Sequence, residues 1–268
     1  MIELHAYCLG DGVRAFSTTR RGGVSRGAYG QFNINPYCGD DVAAVSENRR
    51  LLARELGIGV ERIVMSHQVH GTRIMAVTPE ILHLSNDRRC DLLEGVDALM
   101  TDVGDVCIGV STADCIPVLL YDDEHRAAAA VHAGWRGTTK HIVTEVIEAM
   151  KRNYRTRPEA LKAVFGPGIS LHNFEVGQEV YDEFLRASFP MDKVAVRFPA
   201  MLPQTDCGGE RWHIDLKLCN RLELEAAGIS CDRIEDTAIC TYDSVVDFFS
   251  ARRLGIRSGR IYTGIIMV

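Results

Sequence analysis

Short apolar runs, many of them β-branched and closed by Gly, Asp or Pro, recur at 13–17, 62–65, 73–77, 106–110, 116–121, 127–132, 161–165 and 260–266. Runs of this length and composition predict strands. Four stretches carry apolar residues at helical spacing. In 41–56 these are Val42, Val45, Leu52 and Leu56, with Gly57 as the stop; in 140–150 they are Ile142, Val143, Val146 and Ile147. In 174–185 they are Val176, Val180 and Phe184, while 215–227 opens on Asp215 as an N-cap and ends before Gly228. Strands and helices alternate without a strict βαβ rhythm. The pattern therefore predicts a mixed α/β fold, not a doubly wound parallel sheet. No internal repeat or low-complexity linker divides the chain, and one domain over residues 1–268 is expected.

Composition narrows the function classes. With 46% hydrophobic and 25% charged residues, disordered and collagen-like classes are excluded. Thirty basic residues against 36 acidic ones, a net charge of −6, give no sign of a nucleic-acid partner. The first residues carry Glu3, Asp11 and Arg14 among apolar ones, unlike a signal peptide. No apolar run nears the ~20 residues that span a bilayer. A cytoplasmic protein without a membrane partner is expected. Nine cysteines, an odd number with no C-x-x-C pair, predict no disulfide framework.

Three segments, 18–35, 66–71 and 110–137, are irregular and rich in Gly and functional side chains, as loops that carry sites usually are. Ser66-His67-Gln68-Val69-His70-Gly71 follows a predicted strand, and Gly71 would permit a tight turn. Thr112-Ala113-Asp114-Cys115 lies between two predicted strands, and His132-Ala133-Gly134-Trp135-Arg136-Gly137 ends another. If those strands are neighbours, His70, Cys115 and His132 converge. A His₂Cys set suits Zn²⁺ or copper and leaves one coordination position for water or substrate, the catalytic arrangement. Zinc can bring the pKa of its water to about 7. Asp114 is placed to orient a ligand from behind, and His67 is a candidate fourth ligand, although strand alternation would send it to the opposite side from His70. Cys115 stands 45 residues after His70 and 17 before His132, which matches no compact metal motif. Spacing alone does not separate this reading from a core thiol and two hydrogen-bonded structural histidines.

The same segments carry a family likeness. Ser17-Thr18-Thr19-Arg20-x-Gly22-Gly23-Val24-Ser25, Phe32-Asn33-Ile34, Gly39-Asp40-Asp41, Glu47-Asn48-Arg49, Gln68-Val69-His70-Gly71 and Thr112-Ala113-Asp114-Cys115 stand in order. His132-Ala133-Gly134-Trp135-Arg136-Gly137, Gly166-Pro167, Phe174-Glu175-Val176-Gly177, Cys240-Thr241-Tyr242 and Phe248-Phe249-Ser250-x-Arg252-Arg253 follow. In these motifs, nearly end to end, the chain resembles the YfiH-like family. That family is also called the laccase-domain or polyphenol oxidoreductase family, and its members are described as purine nucleoside phosphorylases with adenosine deaminase activity. The resemblance implies a single-domain layered α/β sandwich with mixed sheets and places the metal ligands on His70, Cys115 and His132. Two departures are His67, where relatives often carry Glu, and Leu254, where an Asp is common.

The implied substrates are a purine nucleoside and phosphate. Arg20, ahead of Gly22-Gly23, would grip the phosphate bidentately. Glu175 would bond the purine edge or ribose hydroxyls, and Asn33 and Arg252 join the substrate-binding set, with Arg253 a further candidate. Cys115, Arg20 and Glu175 form the expected catalytic set. Deamination of adenosine would follow zinc-deaminase logic, although the His-x-Glu plus Pro-Cys-x-x-Cys signature is missing. The alternatives are a single-copper polyphenol oxidase, a thiol hydrolase with Cys115 as nucleophile and His132 or His70 as base, and a cell-wall precursor editing role. A four-copper laccase is excluded by nine histidines with no His-x-His pair.

Overall fold

Period-two alternation along the central strands decides which layer each side chain enters. A computed structural model describes residues 2–200 and 209–268; Met1 and residues 201–208, Cys207 among them, lie outside the described residues. On the strand Ile116–Asp122, Val118 and Leu120 face one core while Leu119 and Tyr121 face another. The same split holds on Ala127–Ala133, where Ala128 and Ala130 oppose Ala129 and Val131. A sheet buried on both faces explains why these strands read as unbroken apolar runs.

That sheet has six strands in the order Ile234–Asp236, Lys162–Phe165, Ile116–Asp122, Ala127–Ala133, Ala98–Thr101 and Ile74–Ala76. Its two outermost pairings are parallel and its inner ones antiparallel. A second sheet of five strands runs Leu4–Tyr7, Val13–Thr18, Ile261–Met267, Cys107–Thr112 and Ile63–Met65, with only the last pairing parallel. The two sheets pack face to face through Ala15, Val64, Ile108 and Ile265 against Leu99, Leu119, Ala128 and Val164. Outside the five-stranded sheet lies the helix Val42–Leu56, capped by the Asp41 carboxylate at Ala44 N and ended by Gly57 at φ 75°. Outside the six-stranded sheet lie Ile142–Tyr154, Gln178–Arg186 and Leu216–Ala226, the last capped by Asp215. The fold is thus a layered mixed α/β sandwich. At one crossing of the five-stranded sheet, Gly109 is required: a Cβ there would lie 2.4 Å from the Tyr262 ring.

The helix expected over 174–185 begins only at Gln178, because Glu175–Val176 is a short strand paired to His213 and Trp212, and Gly177 breaks the chain before the helix. This small third sheet also contains Ala195–Pro199 and Glu210–Ile214. The eight cysteines among the described residues are unpaired. No helix among them is long and apolar enough to cross a membrane.

Candidate metal centre

Register brings two of the three donors together. In the antiparallel pair, Pro117 lies opposite His132 and Ile116 opposite Ala133. Cys115, one residue before its strand, therefore falls beside Gly134, one residue past its partner. Any side chain at Gly134 would collide with the site, since a Cβ there would sit 2.9 Å from Cys115 Sγ and 3.0 Å from His70 Cδ2. The third donor arrives on the segment that leaves Ile63–Met65 in one sheet and enters Ile74–Ala76 in the other.

The carboxylate of Asp97 fixes that segment. It is fully buried and precedes the strand Ala98–Thr101. Oδ1 accepts from His70 N at 2.9 Å and from His132 Nδ1 at 2.8 Å; Oδ2 accepts from Gly71 N at 2.8 Å and Val69 N at 3.2 Å. Three consecutive amides around one carboxylate curl the backbone and hold His70 itself in the left-handed region, at φ 63°. The expected tight turn thus falls on His70, and Gly71 needs no special conformation.

The donor atoms of His70, Cys115 and His132 all lie within 4.8 Å of one another, with Cys115 Sγ 3.8 Å from His70 Nε2. A tetrahedral ion with bonds of about 2.0 Å to nitrogen and 2.3 Å to sulfur spaces such donors about 3.5 Å apart, so the set fits zinc or copper after a small contraction. Asp97 on Nδ1 of His132 leaves Nε2 toward the site, the usual outer support of a metal-binding imidazole. Burial opposes ionisation of the Cys115 thiol, but His132 and then His70 outweigh it and bring its pKa down to about 6. Burial likewise disfavours the His132 imidazolium, yet Cys115 and Asp97 raise its pKa to about 9. His132 is buried, Cys115 partly exposed and His70 exposed, so the centre opens on the His70 side. It opens into a cavity of about 260 Å³ whose walls include Tyr37, His67, Thr112, Ile256 and Arg260. The Thr112 hydroxyl is buried with no hydrogen-bond partner among the described residues.

The other sequence-picked residues stand elsewhere. Asp114 does not support a ligand: its carboxylate accepts from Thr241 Oγ1 and from Arg252 N, both at 2.7 Å. Sequence reasoning missed Asp97, which takes that part. Its only signal was a lone acid directly before the apolar residues 98–100. His67 and His70 line the same cavity, because the strand ends at Met65 and alternation no longer separates them. Arg20, Asn33, Glu175 and Arg252 do not line it. Arg20 donates from Nε to Gly30 O and from Nη1 to Val245 O, and lies over the Phe249 ring. Asn33 donates to Asp40 Oδ2 and accepts from Arg260 N. Arg252 donates from both terminal nitrogens to the backbone carbonyl of Glu175. Arg253 lies over the Tyr242 ring. The cationic residue in the wall is Arg260, which sequence reasoning did not single out.

Residues 14–268 match the family described as multi-copper polyphenol oxidoreductase laccase. A purine nucleoside phosphorylase of Bacteroides thetaiotaomicron is 42% identical over 95% of this chain and 92% of its own length. Adenosine deaminase RL5, from an unknown prokaryotic organism, is 41% identical over 95% of this chain and 94% of its own. Among solved structures, YlmD of Geobacillus stearothermophilus superposes with a TM-score of 0.85 at 31% identity, over 97% of this chain and 94% of that one. The hypothetical protein YfiH of Bacillus licheniformis gives the same score at 30% identity, over 96% and 93%.

Proposed function

The chain belongs to the multi-copper polyphenol oxidoreductase laccase family, and from that premise we propose that it is a metal-dependent purine nucleoside phosphorylase that also deaminates adenosine at the same centre. The observation that carries this reading is the meeting of His70, Cys115 and His132 at the floor of an open cavity. They would hold Zn²⁺, with copper as the alternative ion. Such an ion, when bound, supplies fixed positive charge and Lewis acidity beside the substrate.

The chain's own residues do the rest. Asp97 keeps the proton of His132 on Nδ1 and pins the amides of Val69, His70 and Gly71, so the donors need only a small contraction to act. Arg260 provides the positive wall against which we seat phosphate. Its Nη atoms donate to the carbonyls of Ile256, Ser258 and Gly259, which fixes the guanidinium plane. Relatives named purine nucleoside phosphorylase and adenosine deaminase support the substrate class.

Purified protein incubated with inosine and phosphate is expected to release hypoxanthine, followed by chromatography, and Cys115→Ala is expected to abolish the release. No hypoxanthine above that control refutes the reading. One observation favours a second reading: Cys115, His132 and Asp97 form a nucleophile–base–orienter series, with the thiol pKa brought to about 6. A thiol enzyme of that kind keeps its activity after strong chelation, whereas the metalloenzyme loses it.

A further inference from the structure

A purine leaving C1′ needs a proton, and the cavity offers one group suited to give it. Outside the three metal donors, its titratable wall residues are Tyr37, Cys38, His67 and Arg260. Burial raises the pKa of both the Tyr37 phenol and the Cys38 thiol, which holds their protons firmly. Arg260 is a permanent cation. His67 remains, and an imidazole can give a proton from one ring nitrogen while the other is held by a partner.

Its geometry is that of a held acid–base group. Nδ1 lies 2.8 and 2.9 Å from the two oxygens of Glu94. The ring stacks on Tyr37 with centroids 4.3 Å apart and planes at 24°. The backbone is fixed as well, with His67 N donating to Leu93 O and Gly95 N donating to His67 O. Glu94 therefore keeps a proton on Nδ1, and Nε2 has no protein partner among the described residues. A base or acid oriented by a carboxylate through its far nitrogen is a recurring catalytic arrangement.

We propose that His67 is the general acid that protonates the departing purine at N7, with Glu94 and Tyr37 as positioning residues. This rests on the phosphorylase reading of the cavity. In the step, an oxygen of HPO₄²⁻ bonds to C1′, the C1′–N9 bond breaks, and its electron pair passes into the purine. His67 Nε2–H gives its proton to N7, and the proton carried by HPO₄²⁻ returns to His67 through solvent. The products are ribose 1-phosphate and the neutral base.

The test compares phosphorolysis of inosine and 7-methylinosine by the wild-type protein, His67→Gln and Glu94→Gln, with zinc per chain measured by atomic emission. The 7-methylated purine is already cationic and leaves as a neutral base without taking a proton. The kcat on inosine is expected to fall about 10²-fold in His67→Gln, while kcat on 7-methylinosine stays within about threefold and zinc content is unchanged. Glu94→Gln is expected to show the same selectivity with a smaller loss. Equal losses on the two nucleosides make His67 structural and overturn the proposal, as does an inosine rate in His67→Gln within about threefold of the wild type. A wild-type protein that cleaves neither nucleoside refutes the phosphorylase reading and this inference together. One that cleaves both, with variants that keep the wild-type ratio, overturns this inference alone.

Discussion

Replacing Asp97 by Asn keeps the shape of the side chain but removes its charge and half of its acceptors. In the structure each carboxylate oxygen receives two N–H groups, Oδ1 from His70 and His132 and Oδ2 from Val69 and Gly71. Whichever oxygen becomes an amide nitrogen turns a donor toward two donors. Two buried N–H groups left without acceptors cost about 1–3 kcal/mol each, so Asp97→Asn is expected to lose about 2–6 kcal/mol. Against a total stability of roughly 5–15 kcal/mol that is a large share. At about 2–4 °C per kcal/mol for a chain of this size, the Tm falls by roughly 5–20 °C. The zinc affinity falls by about 10–100-fold, the usual effect of losing an outer partner of a ligating imidazole. The pH dependence has a definite sign. Burial opposes the charged carboxylate, but His132 and the amides of Gly71 and Val69 hold its pKa below the usual range. Its contribution is therefore complete above the unfolded value of about 3.9 and is lost as pH falls through the lower folded value. The melting curves of variant and wild type accordingly converge in strong acid. Circular dichroism melts at several pH values and zinc competition against a chromophoric chelator check this. A variant at pH 7 that melts within about 1 °C of the wild type and binds zinc within about twofold would refute the account of Asp97.

Gly134→Ala separates the site from the fold. Its backbone, at φ −72° and ψ 164°, suits alanine, but the new Cβ meets Cys115 Sγ and His70 Cδ2. Zinc affinity is expected to fall about tenfold or more with little change in Tm; tight zinc binding by a folded variant counts against the site as described. The depressed thiol pKa makes a further prediction. In chelator-treated protein, alkylation of Cys115 by iodoacetamide, followed by peptide mass spectrometry, is expected to reach half its maximal rate near pH 6. A midpoint near that of an ordinary thiol, at about 8.5, contradicts the ion-pair description of Cys115 and His132.

The central strands were legible because both faces of their sheet are buried, so they read as short apolar runs such as 127–132, too short for a helix and closed by turn residues. The strand Ala98–Thr101 was not. It has four residues, all buried, without alternation and poor in β-branched side chains. Missing it hid Asp97, whose role depends on that strand lying beside Ala127–Ala133. Leu4–Tyr7 escaped for a similar reason, being short and only half-buried at a sheet edge. His70, Cys115 and His132 were nameable because each stands near the end of a predicted strand, close to a Gly or Pro. Their convergence was not, since it depends on strand register and on a carboxylate between 26 and 35 residues away from the residues it ties. Arg20 and Arg252 stand outside the cavity wall, and a guanidinium with five donors serves backbone carbonyls as readily as a ligand, as both do here.

Two of the candidate donors belong to the six-stranded layer, while the third rides on the stretch that steps from Ile63–Met65 across to Ile74–Ala76. A cation gripped by all three is therefore a clasp across one end of the sandwich. Its removal frees the crossing stretch from one anchor and leaves the Asp97 carboxylate and the bonds of His67 and Gln68 to Leu93, Glu94, Gly95 and Ser111. Loosening is then felt at the rims of both sheets, and metal supply becomes a determinant of how long the folded chain survives as well as of how fast it turns over.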